Sequence, residues 1–148
     1  MSNTTDVTVL NSLIKTTLDS MKGYEEAAKD AESTQFATMF ADFARDRSAV
    51  AMKLQAQVRT LGGEPEMDSS LLAAAHRSFM DLKQAITGKD DKAIIEEVER
   101  GEDVIKAKYE AAMQEADLSP ATLAAVKDGF ASVKEGHDKM SALKHSIG

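Results

Sequence analysis

The feature that most constrains this chain is the scarcity of helix breakers across long stretches whose apolar residues recur every three or four positions. Only two prolines and eight glycines occur in 148 residues, and no segment alternates apolar and polar residues as a half-buried strand does. The first stretch carries Leu10, Ile14, Thr17, Met21, Tyr24, Ala28 and Ala31, and the second Phe36, Phe40, Phe43, Arg47, Val50, Leu54, Val58 and Leu61. The third carries Ile95, Val98, Glu102, Ile105, Tyr109 and Ala112, and the fourth Leu123, Val126, Phe130, Val133, His137, Met140 and Ile147. A 3-4 repeat turns one face of a helix to a core. The chain is therefore expected to be all-α, a single domain over residues 1–148, with helices at about 5–32, 34–61, 70–87, 90–116 and 119–146.

Punctuation supports these breaks. Ser33 and Thr34 can cap the second helix and Gly62-Gly63-Glu64-Pro65 can end it, while Asp68 to Ser70 can cap the third and Gly88 close it. Asp90 opens the fourth helix, and Ser119-Pro120 is an N-cap followed by proline at the first helical position. The short first and last connections make their flanking helices antiparallel neighbours. Between the hairpins, the segment from Gly62 to Lys89 can return along the bundle, carrying a short helix with Leu72, Ala75, Phe79, Leu82 and Ile86 on one side.

Arg47, Glu102 and His137 each interrupt one of the last three stripes near its middle. A guanidinium does not shed its proton, so a buried Arg47 needs an acceptor. Glu102 is the natural partner: Arg47 lies about thirteen residues into its helix and Glu102 about twelve into its own. At roughly 1.5 Å per residue the two differ in height by about 2 Å if those helices start at the same end. His137 is expected in the same buried layer. Tyr24 and Tyr109 lie on core stripes close to it, and their hydroxyls need acceptors; Thr17 completes the set. Glycines 23, 101, 129 and 136 sit inside long helices, where each costs up to about 1 kcal/mol relative to alanine. Close helix contact is one reason for them, and room for bulky polar side chains is another; Gly101 and Gly136 suit the second.

Composition removes several functional classes. The chain has no cysteine, which excludes disulfides, thiolate zinc sites and cysteine nucleophiles. With 18 basic and 25 acidic residues its net charge is −7, and no basic cluster stands out to neutralise phosphates, so nucleic acid is not an expected partner. No stretch approaches the roughly 20 apolar residues of a membrane span, and residues 1–10 lack the pattern of a secretory signal. A cytoplasmic protein is expected. Gly88-Lys89 lacks the glycine spacing of a phosphate-binding loop, and no Ser-His-Asp arrangement can be argued. His76 and His145 have no partners that spacing identifies. The eight methionines read as adaptable core filler. The run Glu96, Glu97, Glu99, Glu102 and Asp103 reads as a solvated face except at Glu102.

Two helical hairpins with a long crossover and mid-core polar residues resemble the ferritin-like up-down four-helix bundles over nearly the whole chain. The stretches Val58-Arg59-Thr60-Leu61-Gly62-Gly63-Glu64-Pro65, Ala85-Ile86-Thr87-Gly88-Lys89-Asp90-Asp91 and Glu99-Arg100-Gly101-Glu102-Asp103, with His137-Asp138, are similar to a smaller bacterial four-helix-bundle family of uncharacterised function, distantly akin to rubrerythrin. The superfamily builds a di-iron site from glutamates on the first and third helices and Glu-x-x-His on the second and fourth. That resemblance implies matching positions at Thr17, at Arg47 and Val50, at Glu102, and at His137 and Met140; only Glu102 keeps the expected residue type. Arg47 would repel a divalent cation and occupy the one carboxylate able to bind it.

Two functions are therefore weighed. One is a non-enzymatic bundle with a degenerate metal site, no cofactor, and action through self-association, a dimer being the expected state, or through protein contacts, in stress physiology as the resemblance implies. The other is a metal-binding oxidoreductase or metal store in which Glu102, His137 and either Glu25 or Glu99 hold iron or another divalent metal.

Overall fold

The computed structural model describes residues 3–67, 91–115 and 117–147. Four helices appear in it: α1 (Asn3–Asp30), α2 (Thr34–Thr60), α3 (Asp91–Met113) and α4 (Pro120–Ile147). Each begins and ends within a few residues of its expected bounds. The short helix expected at 70–87 lies outside the described residues.

The helix ends follow from capping chemistry. Ser33, in extended conformation, accepts the Phe36 N–H through its hydroxyl and starts α2. Ser119 does the same for Thr122 ahead of Pro120. At the far end of α2 the chain leaves through a Schellman turn. Gly62 takes φ +81°, its N–H donates to the Arg59 carbonyl, and the Gly63 N–H donates to the Val58 carbonyl. The positive φ is the reason for glycine at 62. At 63 the reason is space, because an added Cβ would lie 2.8 Å from the Val7 side chain. The extended segment that follows is tied down by three hydrogen bonds. The Asn11 side chain donates to the Glu64 carbonyl and accepts the Glu66 N–H, and Gln55 donates to the Glu66 carbonyl.

Two aspartates fix the direction of the second hairpin. Asp91, in the first turn of α3, accepts the Glu32 and Ser33 N–H groups at 2.8 and 3.0 Å, so α3 starts beside the α1–α2 turn. Asp6, near the start of α1, accepts the Ser119 N–H, the Ser119 hydroxyl and the Thr122 hydroxyl, so α4 starts beside the beginning of α1. Hence α2 and α3 run the same way and α1 and α4 the other. Helices α1 and α2 pack as one pair, α3 and α4 as another, and the pairs meet along α1·α3 and α2·α4. This leaves α2 and α3 on a diagonal.

The core divides along the bundle axis. Toward the start of α1 it is largely aliphatic, with Leu10, Leu13, Ile14, Val50, Leu54, Val58, Ile105, Val126 and Val133. Toward the α1–α2 turn it holds Tyr24, Phe40, Ile94, Ile95 and Met140, with Phe36 and Phe43 packed against them. Between the two lies the polar layer.

Candidate functional site

Arg47 leaves α2 on its apolar face and reaches across the diagonal to Glu102 of α3. Its Nη1 donates to Glu102 Oε1 at 2.7 Å and to the Ser20 hydroxyl at 2.9 Å, and its Nη2 donates to Glu102 Oε2 at 2.8 Å. Arg47 is 0 % exposed and Glu102 1 %. A bidentate fork of this kind is the geometry in which a guanidinium and a carboxylate best offset each other's desolvation. Burial alone would pull the Arg47 pKa down, but the Glu102 hydrogen bonds and charge outweigh it and hold the guanidinium above its ordinary value.

The surroundings are shaped to this pair. Gly136 of α4 faces it so closely that a Cβ there would lie 2.3 Å from Arg47 Nη2 and 3.0 Å from Glu102 Oε2. The Arg47 guanidinium also sits 5.5 Å from the Tyr24 ring centroid, a cation–π distance, and the Tyr24 ring in turn stacks on Phe43 at 5.2 Å. The Tyr24 hydroxyl and Arg47 Nε are buried without a hydrogen-bond partner among the described residues. Burial first, then the nearby negative charge of Glu102, push the Tyr24 phenol well above its ordinary pKa.

One heptad along α3 and α4 the construction repeats with neutral groups. Tyr109 shares a 2.7 Å hydrogen bond with Thr17 of α1, whose hydroxyl also lies 2.7 Å from the Leu13 carbonyl. Gly129 makes the room: a Cβ there would stand 3.1 Å from the Tyr109 ring and 3.2 Å from Val50. Burial pushes the Tyr109 phenol up to about 12, with the Thr17 hydrogen bond and the Arg47 charge opposing. The expected reason for interior glycines thus applies to Gly136 and, in a neutral setting, to Gly129. It does not apply to Gly101 or Gly23, near which an added Cβ would meet nothing.

His137 takes a different place from the buried layer expected of it. It is half-buried at the α3–α4 seam, with Nε2 2.7 Å from Asp103 Oδ1 and Nδ1 3.3 Å from Asp138 Oδ1. The physical reason is the volume of Arg47 and Glu102, which leaves space only for Gly136 on that face and turns its neighbour to the rim. The adjacent side chains of His137 and Asp138 touch here as well. Lys134 anchors Asp138 from the preceding turn, and together with His137 it lowers the Asp138 carboxyl pKa.

The ligand set weighed for a metal is not gathered in one place. Both Glu102 oxygens are held by Arg47, Glu25 is exposed, Glu99 faces Lys144 at 3.6 Å, and His137 serves the aspartates at the rim. Among the described residues no three His, Asp or Glu side chains form a group able to hold a metal ion. The residues at the centre do not fit a di-iron site, since a fixed positive charge stands where a cation would need carboxylates.

Several contributors carried no signal in the sequence. Ser20, Asp6, Thr122, Asp91, Asn11 and Gln55 all join helices or loops, yet each is a polar residue in a polar stretch. Only the buried-face position of Thr122 or Gln55 could have hinted at a role.

A family model for a domain of unknown function, DUF2383, matches residues 5–115. The chain belongs to this family. A comparison with curated proteins finds no match. The part matched to DUF2383 contains both Arg47 and Glu102 but stops short of α4, so the glycine that accommodates the pair comes from outside it. No helix among the described residues is long and apolar enough to cross a membrane.

Proposed function

We propose that this chain is a non-enzymatic bundle of a bacterial, ferritin-like family, in which a buried Arg47–Glu102 pair stands where the wider ferritin-like superfamily carries metal ligands. On this reading it is cytoplasmic, needs no cofactor, and acts through contacts between copies, a dimer being the assembly proposed, or with a protein partner under stress. The observation that carries the reading is the bidentate capture of both Glu102 oxygens by a fully buried guanidinium. Support for the bundle type comes from the parallel run of α2 and α3, which requires a long crossover between two hairpins.

The chemistry of the layer argues the same way. A protonated guanidinium is no base, both oxygens of its partner accept from it, and both side chains are buried, with Gly136 and Ser20 against them. Such a layer holds helices in register rather than turning over a substrate.

The test is elemental analysis of untagged, chelator-free protein after anaerobic exposure to Fe(II), Mn(II) and Zn(II) and desalting, with light scattering on the same sample. The expected result is no stoichiometric metal and a mass of two chains. Stoichiometric metal that is lost in both Glu102→Ala and His137→Ala would overturn the reading in favour of a metal-dependent oxidoreductase or store.

A further inference from the structure

Past the Schellman turn the chain comes back alongside α2. The Glu66 carbonyl meets the Gln55 side chain, and the Met67 sulfur meets Arg59, whose Nη2 lies 3.7 Å away, within reach of an N–H···S hydrogen bond. The segment that presents this sulfur is fastened as far as its neighbour. Asn11 and Gln55 hold the Glu64 and Glu66 backbone, and Lys15 lies 3.5 Å from the Glu66 carboxylate. A thioether is only a weak acceptor, and Arg59 makes no ion pair among the described residues. The guanidinium therefore faces an atom that leaves its hydrogen-bonding capacity largely unused.

Exposure sets the methionines apart. Met67 is 60 % exposed and Met52 63 %, whereas Met140 is 0 % exposed. Oxidation of a thioether follows its access to solvent, so both Met67 and Met52 are open to a small oxidant. They differ in what stands beside the sulfur. Met52, on α2, has no donor against it among the described residues, and Met67 has a cation.

We propose that Met67 is a modification site for hydroperoxides, at which oxidation to the sulfoxide tightens the segment 62–67 onto α2 through Arg59. A sulfur lone pair attacks one peroxide oxygen, the S–O bond forms and the O–O bond breaks. With hydrogen peroxide, the departing hydroxide takes the proton left on the transferred oxygen and leaves as water; sulfur is oxidised by two electrons and the peroxide reduced by two. The new oxygen is a strong acceptor placed on the side of the guanidinium, so a weak N–H···S contact becomes a charge-assisted N–H···O bond. Sulfoxide formation in an apolar core disrupts packing; at this exposed sulfur, with a donor already in place, its effect has the opposite sign.

The experiment is limited treatment of the full chain with hydrogen peroxide, followed by mass spectrometry for site occupancy and by amide hydrogen exchange over residues 62–67. Met67 and Met52 are expected to oxidise before Met140, and oxidation to slow exchange over 62–67 by about threefold. Each variant is compared with its own untreated form. Met67→Leu should show no slowing, Met52→Leu the same slowing as the parent, and Arg59→Ala an oxidised Met67 without slowing. All three substitutions fall at exposed positions, so the bundle should fold in each. Unchanged or faster exchange in the oxidised parent would overturn the proposal. So would slowing that survives Arg59→Ala, or a Met67 that oxidises no sooner than Met140.

Discussion

Two layers one heptad apart solve the same packing problem with different chemistry. In each, a glycine of α4 makes way for a large side chain that crosses the core: Gly136 for Arg47, Gly129 for Tyr109. The Tyr109 layer is neutral, and its polar atoms are satisfied by one shared hydrogen bond to Thr17. The Arg47 layer is charged and fully buried, and its guanidinium has a charged partner only while Glu102 remains in place. The difference is one of tolerance. Losing a partner in the neutral layer leaves an underused hydroxyl, whereas losing one in the charged layer leaves a naked ion in a dry core.

The sharpest way to break this comparison is to delete the guanidinium. Arg47→Ala should cost about 3 to 5 kcal/mol by leaving Glu102 buried and unpaired, measured by urea denaturation. Tyr109→Phe should cost only about 1 kcal/mol, because the Thr17 hydroxyl keeps the Leu13 carbonyl. If the two losses were equal, the layers would not differ as described.

Next come the glycines. A Cβ at 136 would lie 2.3 Å from an Arg47 nitrogen whose side chain is held on both sides, and overpacking there should cost about 2 to 3 kcal/mol. At 129 the approaches of 3.1 and 3.2 Å call for a shift of a few tenths of an ångström. The helix propensity gained, up to about 1 kcal/mol, should leave Gly129→Ala near neutral. Thermal melts of the two variants would separate them.

The smallest effects concern pH. Tyr109 titrates at about 12 when folded and near 10 when unfolded. Its contribution is therefore fully present below about pH 10 and lost as pH rises through the folded value, so alkaline unfolding should begin in that window and start later in Tyr109→Phe. Asp6 behaves oppositely. Burial raises its carboxyl pKa, but hydrogen bonds from Ser119 and Thr122 outweigh that and leave it lowered. Its clamp on α4 is thus complete above the ordinary carboxylate range and lost as pH falls below it; Asp6→Asn should flatten the acid limb of the stability curve.

The helices and their caps were legible in the sequence because stripe and punctuation act locally and agree with each other. The pairing of Arg47 with Glu102 was legible for a different reason. A buried arginine demands an acceptor, and equal heights on helices that start at the same end left one candidate. His137 was misplaced because hydropathy marks bulky residues and overlooks glycine; on α4 the positions facing the core at these layers are Gly129 and Gly136, and Phe130 and His137 are their half-buried neighbours. The clamps by Asp6 and Asp91 were invisible, since an acidic residue in the first turn of a helix already has a local explanation in the helix dipole. Nothing in spacing says that it bonds to another helix end.

The most direct measurement is a double-mutant cycle on the central pair, comparing the urea stabilities of Arg47→Met, Glu102→Leu, the double variant and the parent. Each single substitution is expected to lose about 3 to 5 kcal/mol, and the double variant to recover to within about 1 kcal/mol of the parent or above it, because an apolar layer removes both charges from the core. Additive losses in the double variant, or single variants as stable as the parent, would contradict the claim that this layer is a mutually dependent buried ion pair.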